Sequence, residues 1–220
     1  MLSRVNKSWV ISLERPLVSW LAAQLPAAVK PDHLTITGFV GALLCGISYC
    51  ASWLSPAFLW FASAGLLINW FGDSLDGTLA RFRKIERPRY GFFIDKTTDL
   101  LSQLCIFLGL GASPFMRFDV ACLGLVAYYT ASVFDLVRSI NSQVLQVDYF
   151  GIGPTEVRLG LIFYNFYLLI FGSWSLKTPF GQMSLIDGLG IMAFVAVLMS
   201  FLVMAWSEGR RLAKEESGAQ

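Results

Sequence analysis

Phe71–Asp99 reads FGDSLDGTLARFRKIERPRYGFFIDKTTD, and its reading decides the fold. Asp73 and Asp76 sit at one end, Asp95 and Asp99 at the other. Side chains three or four positions apart share a helix face, so each pair projects both carboxylates the same way. An apolar run precedes the first pair and another follows the second, which puts all four in or near a membrane. Ionised groups in that setting are rare, face inward and mark function. Four anions at close range in a low dielectric repel strongly, so protons or cations must sit among them. Ligation by oxygen alone suits Mg²⁺, Mn²⁺ or Ca²⁺ and not zinc. Four carboxylates match a two-metal centre of the kind that clamps phosphoryl oxygens during displacement.

The composition agrees with a membrane setting. Hydrophobic residues make up 55% of the 220 and charged residues only 15%, and the mean hydropathy is +0.60. A soluble domain carries about 25% charged residues. Several apolar runs reach the ~20 residues that a spanning helix needs. The expected fold is all-α: a polytopic membrane bundle of six transmembrane helices with an N-terminal amphipathic interfacial helix. Membrane lipids are its expected surroundings, and no nucleic-acid partner is expected. Cys45, Cys50, Cys105 and Cys122 all fall in apolar runs without metal-type spacing, which fits small buried hydrophobes.

Taken in order, residues 1–30 form an amphipathic juxtamembrane segment, one or two helices split near Pro16 and lying in the interface. Glu14, Arg15 and Pro16 interrupt it in a way that a cleavable signal peptide would not show. Residues 31–213 form the six-span domain and 214–220 a tail. Pro31 suits a first helical turn and Asp32 a cap for span one, which ends at Ser52. His33, the only histidine, reads as a hydrogen-bonded or interfacial residue and not a ligand. Span two runs from about Pro56 through Asp76 until Pro88 breaks it. Gly91 opens span three, which ends near Ser113. Span four covers Phe118 to Ile140. A polar loop holds Asp148 and a turn, Gly151 to Arg158. Span five covers about Glu156 to Trp174, and span six Ile186 to Trp206. Pairs such as Gly38 with Gly41 and Gly109 with Gly111 let helices approach closely.

Six spans put fifteen of the seventeen Lys and Arg on one side and leave Arg117 and Lys177 on the other. The excess marks the cytoplasmic side. Both termini and the carboxylate centre are therefore expected there, in a bacterial inner membrane.

Within the central stretch, Gly77 and Ala80 flank the first carboxylates and leave room for something bulky against the backbone. Arg81 offers a rigid fork to phosphate oxygens. Gly91 stands one turn before Asp95 on the next helix. Together these residues point to a metal–pyrophosphate site.

Asp73-Ser-Leu-Asp76-Gly77-Thr-Leu-Ala80-Arg81 followed by Gly91-Phe-Phe-Ile-Asp95-Lys-Thr-Thr-Asp99 resembles the signature of the CDP-alcohol phosphatidyltransferase family, D-x-x-D-G-x-x-A-R, a spacer, then G-x-x-x-D-x-x-x-D. All eight defining residues are present. Pro31-Asp-His-Leu-Thr35 is similar to the family's P-N-x-x-T, with Asp32 in place of the usual Asn. The resemblance implies that Asp73, Asp76, Asp95 and Asp99 bind two divalent ions, Mg²⁺ or Mn²⁺. It implies that Asp32, Thr35, Gly77, Ala80, Arg81 and Gly91 line the donor's cytidine and phosphate pocket. Asp99 would be the catalytic base, taking the proton of an acceptor hydroxyl that attacks the β-phosphorus and expels CMP. The implied partners are a CDP-linked donor (CDP-diacylglycerol or a CDP-alcohol), a hydroxyl acceptor and a second copy of the chain in a homodimer.

Arg138 and Arg158 are candidates for a phosphate-bearing acceptor or a donor lipid, because intramembrane Arg is expensive without a use. Their structural alternative is pairing with Asp135 and Glu156. Lys96, next in sequence to Asp95, is expected to point away toward headgroups, and Leu100 stands where relatives with phosphorylated acceptors often carry a basic residue.

Three other readings compete. Asn69-x-x-x-Asp73-x-x-Asp76 matches the first aspartate motif of intramembrane prenyltransferases, but the second pair follows too soon, and Asn69 otherwise orients a carboxylate. A small divalent-cation carrier would show repeated halves, and none is visible. A structural ionic network needs more cations than the sequence supplies nearby.

Overall fold

The computed structural model describes the backbone of residues 3–5, 9–142, 144–146, 153–179 and 181–217. Side chains are described from residue 14 onward, except at 135, 138–142, 144–146, 215 and 216. The described residues form seven helices, in chain order α1 (Trp9–Gln24), α2 (Pro31–Ala51), α3 (Phe58–Phe82), α4 (Pro88–Gly111), α5 (Phe118–Ser142), α6 (Pro154–Phe171) and α7 (Leu185–Ser217).

The all-α expectation holds for the mass of the chain. Two small strand pairs join it. β1 (Ser3–Val5) runs parallel to β2 (Val144–Gln146), and β3 (Ser175–Thr178) pairs antiparallel with β4 (Gly181–Ser184). The hairpin joins α6 to α7, where strand pairing satisfies backbone groups that neither helix can reach. Gly181 closes its turn at φ 105°, in the left-handed region that suits glycine.

Several boundaries differ from the expected ones for local reasons. Pro16 lies inside one continuous α1 and does not divide the segment. Pro88 opens α4 as its first residue, where a missing N–H and a fixed φ fit. Pro154 does the same for α6, so most of the expected turn at Gly151 to Arg158 is helix. Glu156 closes that start by accepting the Gly153 N–H at 2.8 Å. Lys30, not Asp32, is the N-cap residue of α2, and its N–H donates to His33 Nδ1 at 3.4 Å. Finally, α7 continues as helix to Ser217, past Lys214, where the tail is expected to begin.

Glycine sets the packing of α2 on its neighbours. A Cβ at Gly41 would stand 2.5 Å from the Asn69 N, and one at Gly65 would stand 2.6 Å from the Cys45 N. On the other flank, a Cβ at Gly109 would lie 2.4 Å from the Gly46 Cα. The backbones of α2, α3 and α4 therefore touch where larger side chains would hold them apart. Tyr49, Leu59, Leu66, Ile106 and Leu110 fill the core between them. A buried polar chain threads it. The Tyr49 hydroxyl donates to Asn165 Oδ1 at 3.1 Å, Asn165 Nδ2 donates to Ser63 Oγ at 3.0 Å, and Ser63 Oγ donates to the Leu59 carbonyl at 2.9 Å.

A second apolar cluster docks α1 across one end of the bundle, with Val18 and Ala22 against Leu34, Leu75 and Leu79. Arg83 fixes the α1–α2 connection, donating to the carbonyls of Leu25 at 2.9 Å and Pro26 at 2.8 Å, and also to those of Ala27 and Val29. Glu14 fixes α1 itself. Its Oε1 accepts from Trp70 Nε1 at 2.8 Å and Ser74 Oγ at 2.5 Å, and its Oε2 from Thr155 Oγ1 at 3.2 Å. One carboxylate thus ties α1 to both α3 and α6.

Large apolar side chains face outward along the bundle, among them Ile47, Trp60, Phe163, Ile170, Met199 and Val203. Two helices, Pro31–Ala51 and Leu185–Lys214, are long and apolar enough to cross a membrane by length and composition. On α3 and α4 the apolar runs are interrupted by Asn69, Asp73 and Asp76, and by Asp95, Lys96 and Asp99.

Candidate functional site

α3 and α4 bring the four aspartates to one place. Carboxylate oxygens of Asp73, Asp95 and Asp99 lie within 4.8 Å of one another. This meets the steric need of a shared ion, and three hard oxygen donors have the right chemistry for a divalent cation. Asp76 stands beside them and borders the same small chamber as the other three. Its Oδ2 accepts from Thr35 Oγ1 at 2.6 Å and its Oδ1 from the Gly77 N–H at 2.5 Å. Thr35, expected to touch a nucleotide, therefore also orients a carboxylate. That chamber, about 10 Å³ in volume, contains the Ser102 side chain as well. The Ser102 hydroxyl is buried and has no hydrogen-bond partner among the described residues. A donor-acceptor left open beside four carboxylates is a further mark of a site built to take a polar guest.

Two cations share the cluster. Arg158 comes from α6 and is buried. Its Nη2 lies 2.8 Å from Asp73 Oδ2, and its Nε donates to Asn69 Oδ1 at 2.8 Å. Asn69 is held in turn by donating Nδ2 to the Gly38 carbonyl at 2.9 Å. The expected alternative pairing of Arg158 with Glu156 does not occur, because residues two apart on a helix face different ways. Asn69 orients a carboxylate, as expected, but it does so through Arg158.

Lys96 corrects the expectation more sharply. Its Nζ lies 2.9 Å from Asp99 Oδ2 and 3.2 Å from Asp95 Oδ2, inside the cluster. The i,i+3 spacing to Asp99 allows this, and the long stem folds back to reach Asp95. An ammonium left unpaired among apolar side chains would be far less stable.

Above the cluster opens a cavity of about 790 Å³, bordered by α1, α2, α3, α4 and α6. Pockets of 300 to 1,000 Å³ suit small-molecule ligands, so a nucleotide diphosphate fits its scale. Gly77, Ala80, Arg81 and Gly91 all line it, as do Asp32, Thr35, Lys96 and Arg158. A Cβ at Gly91 would meet nothing within 4 Å, and one at Gly77 would meet Arg81 Nη1 at 3.3 Å. The small residues thus border open space on one side and the guanidinium on the other. Arg81 Nη2 donates to Thr78 Oγ1 at 3.1 Å. Asp32 does not cap α2; it forms an ion pair with Arg87, whose guanidinium lies 4.2 Å over the Tyr90 ring at the cavity's edge. Arg138 lies on α5, and its side chain falls outside the described residues, as do Asp135 and Asp148.

Sequence reasoning missed Lys96, Ser102 and Glu14 as members of this site. Ser102 carried a signal, since it stands three positions beyond Asp99 on the same helix face. Lys96 stands three positions before Asp99 and carried the same signal, but its long stem could equally reach headgroups; Glu14 carried none, because its position follows from how α1 docks.

The arrangement is a helical cradle of carboxylates and cations opening onto a nucleotide-sized cavity. The CDP-alcohol phosphatidyltransferase family model matches residues 29–206, and the chain belongs to that family, whose members are membrane-associated. Among relatives, it is 34% identical over 132 residues to an archaetidylinositol phosphate synthase of Pyrococcus horikoshii, a match covering 60% of this chain and 65% of the relative. A second archaetidylinositol phosphate synthase, from Methanothermobacter thermautotrophicus, is 30% identical over 112 residues, 51% of this chain and 53% of the relative. Cholinephosphotransferase 1 of Danio rerio is 29% identical over 176 residues, 73% of this chain and 44% of the relative. The chain thus spans less than two thirds of each of these relatives. They lend no support to the bacterial inner membrane expected above.

Proposed function

We propose that the chain is an integral-membrane transferase of phospholipid biosynthesis. It moves a phosphatidyl or phospho-alcohol group from a CDP-linked donor to a hydroxyl acceptor and releases CMP. The observation that carries this reading is the convergence of Asp73, Asp95 and Asp99 oxygens at the floor of a nucleotide-sized cavity, in a chain of this family.

Asp73, Asp76, Asp95 and Asp99 would hold two divalent ions, Mg²⁺ or Mn²⁺. Bound there, such ions neutralise the donor's diphosphate and stabilise departing CMP. The chain's own groups do the rest. Gly77, Ala80 and Gly91 admit the donor against the backbone, and Arg81 binds its phosphate oxygens bidentately. Asp99 takes the proton from the acceptor hydroxyl. The acceptor oxygen then forms its bond to the β-phosphorus while the bond from that phosphorus to the CMP oxygen breaks. Asp76, held by Thr35, and Asp73, held by Arg158, keep their oxygens aimed, so little reorganisation remains at the moment of reaction. Arg158, which lines the cavity, and Arg138 would bind the phosphate of an acceptor or of a donor lipid.

Two of the relatives named above are archaetidylinositol phosphate synthases, which favours an acceptor that carries a phosphate. Helices α2 to α7 would be the six spans, with α1 in the interface, and the basic excess would put the termini and the site on the cytoplasmic side. A homodimer is the assembly assigned to it. The domain limits are 31–213 for the six-span unit, with 1–30 before it and 214–220 after it.

The test is CMP release by the purified protein with Mg²⁺ or Mn²⁺, CDP-diacylglycerol or a CDP-alcohol, and a panel of phosphorylated and unphosphorylated polyols. CMP appearing with one acceptor and a divalent ion supports the reading. Prenyl diphosphate consumption, or ion flux in liposomes without CMP, would replace it.

A further inference from the structure

We propose that Lys96 is an internal counter-cation of the acidic centre: a divalent ion displaces it, and the displaced ammonium then faces the substrate's phosphates in the cavity. The inference rests on the metal-dependent reading above.

Asp95 and Asp99 are two of the three residues whose oxygens come within 4.8 Å of each other, and the Lys96 ammonium spans oxygens of both. The ammonium occupies one oxygen of each carboxylate, and a divalent ion drawn to the same pair would lie close enough to be strongly repelled by it. One occupant excludes the other. Arg158, the second cation, is held differently. Asn69 grips its Nε from outside the cluster, and its side chain is only 5% exposed, so it stays when the cluster's occupant changes. Among the described residues, the ammonium of Lys96 has as its ion-pair partners only these two carboxylates. Its side chain is 24% exposed and borders the large cavity, so the path out of the cluster leads into the space a diphosphate would fill. Lysine suits the exchange, being a point charge on a flexible four-carbon stem rather than a fixed fork. Before the ions arrive, the same ammonium offsets the mutual repulsion of carboxylates on α3 and α4.

Competition for the same two carboxylates is a coupling between two occupants, and coupling of this kind is reciprocal, with typical magnitudes of 5- to 150-fold. In detergent, the full-length Lys96→Met variant should bind Mn²⁺ about tenfold more tightly than wild type, read from the free-ion electron paramagnetic resonance signal. Lys96→Arg should stay near wild type. At saturating Mn²⁺, CDP should bind Lys96→Met about tenfold more weakly than wild type. In the unmodified protein, acetylation of Lys96 read by mass spectrometry should be slow without Mn²⁺ and several-fold faster with it; this readout needs no variant to fold. Unchanged or weaker Mn²⁺ binding by Lys96→Met, or acetylation indifferent to Mn²⁺, would overturn the displacement. Equal CDP affinity would overturn its substrate half. Wild type that binds no Mn²⁺ at all would overturn the metal reading itself, a result distinct from binding that ignores Lys96.

Discussion

Arg158 donates to Asn69 through Nε and faces Asp73 through Nη2, so one buried guanidinium serves both α3 contacts. Arg158→Leu leaves Asp73 without that partner and the Asn69 oxygen unsatisfied. Breaking a buried pair from one side costs about 3–5 kcal/mol. The variant should unfold at a clearly lower temperature in detergent, and Mn²⁺ should restore part of the loss by compensating Asp73; a variant as stable as wild type would show the pair to be incidental. Asp99→Asn keeps the side chain's shape and removes its basicity. Turnover should fall roughly 10²- to 10⁴-fold while CDP binding with Mn²⁺ persists, and undiminished turnover would remove Asp99 as the base. The aspartates were legible in the sequence because carboxylates at i,i+3 and i,i+4 have one arrangement on a helix. The place of Lys96 was not legible, since a lysine stem reaches either lipid headgroups or its helical neighbours and only the surroundings choose.

Glycine separates the roles of the helices. Gly41 packs against the α3 backbone, where an added Cβ would come 2.5 Å from the Asn69 N. Gly41→Ala should therefore push α2 from α3 and destabilise the protein by about 1–3 kcal/mol, measured as a drop in thermal midpoint. Gly91, on the first turn of α4, meets nothing within 4 Å. Gly91→Ala should leave the thermal midpoint unchanged or raised while raising KM for the CDP-linked donor, since the new methyl enters the cavity. Equal KM with lost stability would reverse that assignment. Helix existence was readable from apolar run lengths, and the close approach of α2 from its small residues. The entry points were harder. Pro88 and Pro154 were read as breaks or turns, although a proline fits a first helical turn as well as it ends a helix. The β3–β4 hairpin was invisible, because its residues show no alternation long enough to mark strands.

For the whole molecule, the six proposed spans would put the basic residues of α3 and α4 and of the chain's ends on one side, with Arg117 and Lys177 on the other. In a cysteine-free background, Lys177→Cys should react with an impermeant maleimide added to intact cells, and Arg89→Cys only after permeabilisation; the opposite pattern would invert the topology. The polar residues at the site also interrupt the apolar run of α3, at Asn69, Asp73 and Asp76. Function thus masks fold in this sequence at the place where the two meet. The account stands on divalent ions shared by carboxylates of α3 and α4, and anomalous scattering at the manganese edge from crystals grown with Mn²⁺ tests it most directly. It predicts two peaks ligated jointly by Asp73 or Asp76 and by Asp95 or Asp99; no peak there, or ions held by one helix alone, would contradict it.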